Sequence, residues 1–227
     1  MNRLTVLAVA LWAMVSGCSS TVGGLATPAS PTPDRLPELL LHTAQVADLT
    51  GSADITVMQN ITKPWNDGTH FQGADQQGCL AIAGAAQKGV YADTGWTALH
   101  GQLLREPPSA PSWTHFATQV VVLFPNPEAA DQFLQRSRES WASCAGHEMR
   151  YSQPFDSDQV WTVDTVAHLP DTLVVSRSQR SPQQWFCQRA LRVRDALAID
   201  VEACDAAGPT AAAAAMVSAI GDRVSAS

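Results

Sequence analysis

Five cysteines are the side chains in this sequence best suited to covalent chemistry, and the first of them follows an export signal. Cys18 comes soon after an apolar run from Leu4 to Val15, and the charged residue Arg3 precedes that run. A short basic start, an apolar stretch and small residues at its end are typical of a secretory signal peptide. The run is too short to span a bilayer, which takes about 20 apolar residues. We therefore predict that the rest of the chain works outside the cytoplasm.

The residues around Cys18 also indicate a covalent lipid. The tetrapeptide Val15-Ser16-Gly17-Cys18 resembles the lipobox of bacterial lipoproteins, in which the signal is cleaved before the cysteine and a diacylglycerol is attached to its sulfur. The resemblance implies that residues 1–17 are removed and that the lipid on Cys18 is the membrane contact. The alternative is an ordinary secreted protein whose signal ends near a cysteine by coincidence.

The other four cysteines predict two disulfides, because an even number in an exported protein implies a disulfide framework. These residues are Cys79, Cys144, Cys187 and Cys204. Four cysteines allow three pairings, and four buried thiols are the alternative to any pairing.

A hairpin register selects one of these pairings. The predicted strands 185–194 and 197–204 are separated by two residues, and a two-residue loop places Cys187 opposite Cys204 and Arg189 opposite Glu202. A three-residue loop aligns the apolar residues of the strands better, and a bulge between the two registers would satisfy both. We predict the Cys187–Cys204 disulfide from the register, which leaves Cys79 to pair with Cys144.

Charge and composition limit the classes of partner. The chain has 227 residues and a formal net charge of −7, with 45% hydrophobic and 15% charged residues, a balance that supports a folded core. No cluster of Lys and Arg is present, so nucleic acid is not an expected partner. Residues 18–35 are rich in Ser, Thr, Gly and Pro, which predicts a linker between the lipid and a domain at 36–227.

Sequence patterns of known catalytic sites are missing. The sequence contains no GxSxG, no Walker loop and no GxGxxG after a strand, and its six histidines have no metal-ligand spacing. Cysteines in disulfides could not act as nucleophiles or thiolate ligands. We therefore expect no catalysis, no cofactor and no metal, although a site assembled from distant residues is also compatible with the sequence.

Three polar residues are candidates for a ligand-binding cleft. His115 and Gln119 share one face of the predicted strand 114–124, and Gln102 lies in the preceding predicted strand. The alternative is that all three are hydrogen-bonded within the sheet, as buried polar groups usually are. Trp65 lies in a polar, turn-rich stretch, which favours an exposed and functional side chain over core packing.

Strands and helices are mixed along the chain. The clearest helix is Pro127–Ala142, with Asn126 as its N-cap, and an Ala-rich helix is predicted at Thr210–Val224. The predicted strands are 54–59, 96–105, 114–124, 147–152, 159–167, 172–180, 185–194 and 197–203. This order predicts an α+β fold, with a mostly antiparallel sheet covered by helices.

Several segments carry a resemblance to a known family. GWTA with GQ at 95–102, QVVVLFP at 119–125, WASCA at 141–145, CQRAL at 187–191 and IDVEAC at 199–204 occur in order with the four cysteines. In these segments the chain resembles the PknH-like extracellular sensor domain family of mycobacteria. The resemblance implies an α+β domain with two disulfides and a cleft for an unidentified ligand, and it does not imply catalysis.

These observations together predict a cell-envelope lipoprotein on the extracytoplasmic face of the membrane. Its domain is expected to bind a small molecule, an envelope component or a protein partner. One alternative is a protein-interaction scaffold or decoy for a receptor kinase, which an exposed apolar patch beside a filled cleft would favour. The other is a hydrolase with a dispersed site, which a nucleophile and a base converging in the cleft would favour.

Overall fold

The computed structural model describes residues 31–226, with the exception of 67, 108, 110–112, 154–157 and 182–183. The predicted signal peptide, Cys18 and most of the predicted linker therefore lie outside the described residues. No helix within the described part of the chain is long and apolar enough to cross a membrane.

One antiparallel sheet organises the described residues. Its strand order is β1-β3-β4-β10-β9-β8-β6-β5-β2, with β7 paired to β8 beside this path. The strands are β1 (Thr56–Ile61), β2 (His70–Phe71), β3 (Ala98–Arg105), β4 (His115–Leu123), β5 (Glu148–Ser152), β6 (Gln159–Val163), β7 (Ala167–His168), β8 (Thr172–Gln179), β9 (Phe186–Arg194) and β10 (Leu197–Asp205). Every predicted strand has a counterpart here, and the α+β prediction is confirmed.

Helices cover both faces of the sheet. They are α1 (Leu36–Leu39), α2 (Thr43–Thr50), α3 (Leu80–Ala83), α4 (Lys88–Tyr91), α5 (Pro127–Cys144) and α6 (Ala212–Ala226). The N-terminus of α5 is the predicted one, because the Asn126 side chain accepts a 2.9 Å hydrogen bond from the Ala129 amide. Helix α5 packs on one face of the sheet, whereas α6, α1 and α2 pack on the other.

The central strands are buried on both sides, and over residues 120–123 β4 accordingly has no polar side chain on either face. In β10, Ile199 and Val201 belong to the core under α6, whereas Ala198 and Cys204 belong to the core under α5. Strands buried on both faces read as almost continuous apolar runs instead of alternating ones. In β4, Val120 and Val122 likewise belong to the core under α5, whereas Ala117 and Val121 belong to the core under α6.

The hairpin of β9 and β10 keeps the two-residue register throughout. Arg194 is opposite Leu197 and Cys187 is opposite Cys204. The expected bulge is wrong, since this pairing continues without a shift. A bulge would have placed the apolar residues of both strands on one face. It is not needed, because both faces of the sheet are covered: Val193 belongs to the core under α5 and Ile199 to the core under α6.

Both predicted disulfides are present. Cys187 is bonded to Cys204 across the hairpin, with a Cα–Cα distance of 4.0 Å. Cys79, just before α3, is bonded to Cys144 at the end of α5, with a Cα–Cα distance of 5.6 Å. The second bond therefore fixes the start of α3 to the helix that covers this face of the sheet.

Candidate functional site

Four charged side chains are buried on the face of the sheet that packs against α5. Arg177 of β8, Arg189 of β9, and Asp200 and Glu202 of β10 are each less than 6% exposed. Arg189 Nη2 lies 2.6 Å from Asp200 Oδ1, and Arg177 Nη2 is paired with the Glu202 carboxylate. Buried charges are tolerated when they are paired and hydrogen-bonded, and these four form two such pairs.

The ion pairs differ from the cross-strand pair that the hairpin register indicates. Arg189 is opposite Glu202, as predicted, but its charge partner is Asp200. Arg177 reaches Glu202 from β8, on the far side of β9, and this leaves Arg189 to pair diagonally. The sequence of one hairpin cannot show a competing cation that a third strand supplies.

These pairs hold the segment from Ala81 to Tyr91 against the sheet. Arg189 donates to the Ala81 carbonyl from Nε at 3.1 Å and from Nη2 at 3.0 Å, and Arg177 donates to the Ile82 carbonyl. Asp200 Oδ2 accepts hydrogen bonds of 2.9 Å from the Ala86 amide and the Tyr91 hydroxyl. Burial and the nearby Asp200 carboxylate raise the pKa of Tyr91, which keeps this hydroxyl a donor.

Trp65 is attached to the same segment. Its indole Nε1 donates to the Ala85 carbonyl at 2.9 Å, and its backbone exchanges hydrogen bonds with Ala86 and Lys88. The position of this ring therefore depends on the segment that Arg189 and Asp200 hold. The buried charges thus shape the surface above them without being exposed themselves.

A cavity of about 740 Å³ opens between this segment and the end of the β9–β10 hairpin. The Arg177–Glu202 pair and the Cys187–Cys204 disulfide border it. Its described walls are mainly aromatic and amide side chains: Trp65, Trp113, Phe116, Tyr151, Trp161, Trp185, Gln87, Gln153, Gln159 and Gln179. Ligand pockets in proteins have this size and this mixture of aromatic surface with a few polar groups.

Aromatic contacts shape two parts of the cavity wall. Trp113 and Trp185 form a tilted pair with ring centroids 4.9 Å apart, and Trp113 remains 40% exposed. Deeper, the Arg177 guanidinium carbon lies 4.5 Å from the centroid of the Trp161 ring. Arg177 Nε is buried and has no hydrogen-bond partner among the described residues. Leaving a buried donor without a partner is costly.

The three polar residues predicted to bind ligand lie elsewhere. Gln119 is fully buried and forms two 2.9 Å hydrogen bonds with the Leu41 backbone, donating to its carbonyl and accepting from its amide. It also donates to Gln102 Oε1 at 3.0 Å, so the structure brings these two glutamines together. Neither they nor His115 are among the described residues that line the cavity, and their role in ligand binding stays a prediction.

His115 belongs to a separate polar cluster. Its Nδ1 lies 2.6 Å from Glu106 Oε1 and its Nε2 lies 3.8 Å from Asp205 Oδ2. Burial raises the pKa of Glu106, but hydrogen bonds from the His115 backbone and side chain and from the Ser52 hydroxyl outweigh it and lower the pKa to about 2. The arrangement keeps Glu106 ionised, and it ties β4 to the chain after β3 and before β1.

Most residues of the cavity wall were not predicted from the sequence. Phe116, one position from His115, lines the cavity because it faces the opposite side of β4. Arg177 and Glu202 could have been noticed as charges inside strands that otherwise read as buried. Trp65, which the sequence singled out, does line the cavity.

Fold and site together define a disulfide-bonded α+β domain with an aromatic cavity above buried ion pairs. The chain belongs to the PknH-like extracellular domain family, whose model matches residues 31–223. The domain is therefore extracytoplasmic, as predicted.

Known relatives agree with this assignment. The chain is 33% identical over 171 residues to the serine/threonine-protein kinase PknH of Mycobacterium tuberculosis and to that of Mycobacterium bovis. The match covers 75% of this chain but 26% and 28% of those kinases, so the chain spans about a quarter of their length. The crystal structure of the extracellular domain of PknH from M. tuberculosis superimposes with a TM-score of 0.80 at 31% identity, covering 87% of this chain and 98% of that one.

Proposed function

We propose that this chain is a cell-envelope lipoprotein whose extracytoplasmic domain binds a small molecule or an envelope component in the aromatic cavity. The lipid on Cys18 would hold the protein at the membrane, and residues 18–35 would tether the domain. The domain would act by binding, without catalysis.

The cavity is the observation that carries this proposal. It has the volume of a ligand pocket, and large aromatic side chains remain accessible along it. An open cavity of this size favours binding in it over a scaffold that uses only the outer surface.

The chemistry of the described cavity residues favours binding over hydrolysis. Cys187 and Cys204 are joined to each other, so their sulfurs do not serve as thiolate nucleophiles or metal ligands. The Glu202 carboxylate is paired with Arg177, and a paired carboxylate is a weak general base. These contacts support a cavity built to hold a molecule.

The test is native mass spectrometry of the full chain purified from its own membranes in detergent. Leu103→Trp places a large ring where Leu103 lines the cavity, and Leu169→Trp makes the same change at a side chain that is 52% exposed and is not part of it. We expect a retained mass on the parent protein and on Leu169→Trp, and its loss from Leu103→Trp. A retained mass that survives Leu103→Trp would overturn cavity binding.

A further inference from the structure

The aromatic walls of the cavity narrow the chemical class of its ligand. Of the nineteen described residues that line it, six are aromatic and Leu103 is the one large aliphatic side chain. Acyl chains are usually enclosed by flexible aliphatic side chains, and flat aromatic rings instead suit ligands with flat or ring-shaped apolar faces. The lining therefore favours a ring over an alkyl chain.

The charges of the lining residues narrow the chemical class of the ligand further. Among the described lining residues the ionised groups are Arg177 and Glu202, and they neutralise each other. An anionic or cationic ligand would enter a low-dielectric site without a compensating charge, which is unfavourable. Cationic ligands are disfavoured for a second reason, because arginine side chains already occupy the cation-binding faces of two of the rings. The Arg177 guanidinium lies over Trp161, and the Arg105 guanidinium carbon lies 5.2 Å from the centroid of Trp113.

Polar groups in the cavity match hydroxyl groups. An amide carries both donors and an acceptor, and a hydroxyl is likewise donor and acceptor, so the four glutamines suit a ligand with many hydroxyls. The ligand should thus carry neutral oxygen groups around a ring.

We propose that the cavity binds a neutral carbohydrate, which rests on the proposed function of the cavity as a binding site. One face of a sugar ring presents C–H groups with partial positive charge, and these contact the negative face of an aromatic ring. Trp185, whose ring packs against Trp113 with centroids 4.9 Å apart, would supply that contact. The sugar hydroxyls and ring oxygens would meet the glutamine amides.

Tryptophan fluorescence of the full chain in detergent provides the first test. The probes are neutral oligosaccharides of glucose, mannose, galactose and arabinose, with an oligogalacturonide, phosphocholine and decanol as comparisons. We expect saturable quenching by at least one neutral oligosaccharide. Trp113→Ala and Trp185→Ala should weaken it by about tenfold, which corresponds to about 1.4 kcal/mol.

The control is Trp96→Ala, which removes a half-buried indole that is not among the lining residues and should leave the affinity unchanged. Trp→Phe at all three positions repeats the comparison if an alanine variant does not fold. Equal loss in the control, or tighter binding of the acid, phosphocholine or decanol than of every neutral sugar, would overturn the carbohydrate assignment.

Fragmentation of the mass retained in native mass spectrometry separates this inference from the proposed function. Neutral losses of sugar residues support the carbohydrate, and accompanying acyl fragments identify a glycolipid headgroup instead of a free glycan. A retained cavity ligand without sugar fragments overturns the carbohydrate while leaving the cavity a binding site. If the protein retains no mass and no sugar quenches its tryptophan fluorescence, both the proposed function and the carbohydrate assignment are overturned.

Discussion

The buried Arg189–Asp200 pair allows a direct test of how the cavity wall is held. Asp200 accepts hydrogen bonds from Arg189 Nη2 at 2.6 Å and from the Ala86 amide and Tyr91 hydroxyl at 2.9 Å each. Asp200→Asn removes the negative charge and keeps nearly the same shape, so Arg189, which is 2% exposed, loses its counter-ion. Breaking a buried pair in this way typically costs about 3–5 kcal/mol.

A matched substitution separates burial from ion pairing as such. Asp171 is also paired with an arginine, Arg192, at 2.9 Å, but its side chain is 38% exposed. Exposed pairs contribute about 0–1 kcal/mol, so Asp171→Asn should cost far less than Asp200→Asn. The difference between the two variants should be about 2 kcal/mol or more.

Urea unfolding of the oxidised protein at pH 7 gives both free energies of unfolding. Hydrogen exchange adds a local measurement, since the amides of 81–91 should lose protection in Asp200→Asn and keep it in Asp171→Asn. The double variant Arg189→Met/Asp200→Leu should recover part of the loss, because neither charge then remains buried alone. Equal losses in the two single variants, or unchanged exchange in 81–91, would refute the role given to the buried pair.

The anchor, the disulfides and the Glu106 carboxyl each give a further expectation. Cys18→Ala should leave the membrane fraction or accumulate unprocessed, and a variant that is cleaved before residue 18 yet equally membrane-bound would contradict the lipid anchor. Replacing both Cys79 and Cys144 by Ser should lower the free energy of unfolding by about 4 kcal/mol, measured in urea, because their bond closes a 65-residue separation. The pKa of Glu106 is about 2 in the folded protein and about 4.5 in the unfolded chain, so the unfolded chain binds the proton first as the pH falls. The free energy of unfolding should therefore decrease by up to about 3 kcal/mol between pH 4.5 and pH 2. Glu106→Gln should flatten that part of the pH profile of urea midpoints, and an unchanged profile would contradict the assignment.

Local patterns predicted the elements of this fold because they depend on neighbouring residues. The two-residue loop between β9 and β10 determines which residues are opposite each other, so the Cys187–Cys204 bond follows from the spacing. Asn126 followed by proline similarly marks the start of α5. These inferences need no knowledge of what packs above the sheet.

The position of the cavity depends on residues far apart in the chain, whereas the sequence pattern singled out the face of β4 that carries His115 and Gln119, which does not border the cavity. The alternation of side chains along β4 places Phe116 and Gln119 on opposite faces of the sheet. Helices cover both faces, so the alternation cannot show on which face the cavity lies. The glutamine is satisfied by the Leu41 backbone, 78 residues earlier, and this contact fills its face. On the other face, Arg189 and Asp200 draw Ala81–Tyr91 onto one part of the sheet, and the space beside that segment stays open. In a strand that is covered on both faces, a polar residue such as Gln119 can therefore serve to bind a distant segment of the same chain instead of a ligand. In β4 it is the aromatic residue Phe116 that borders the cavity.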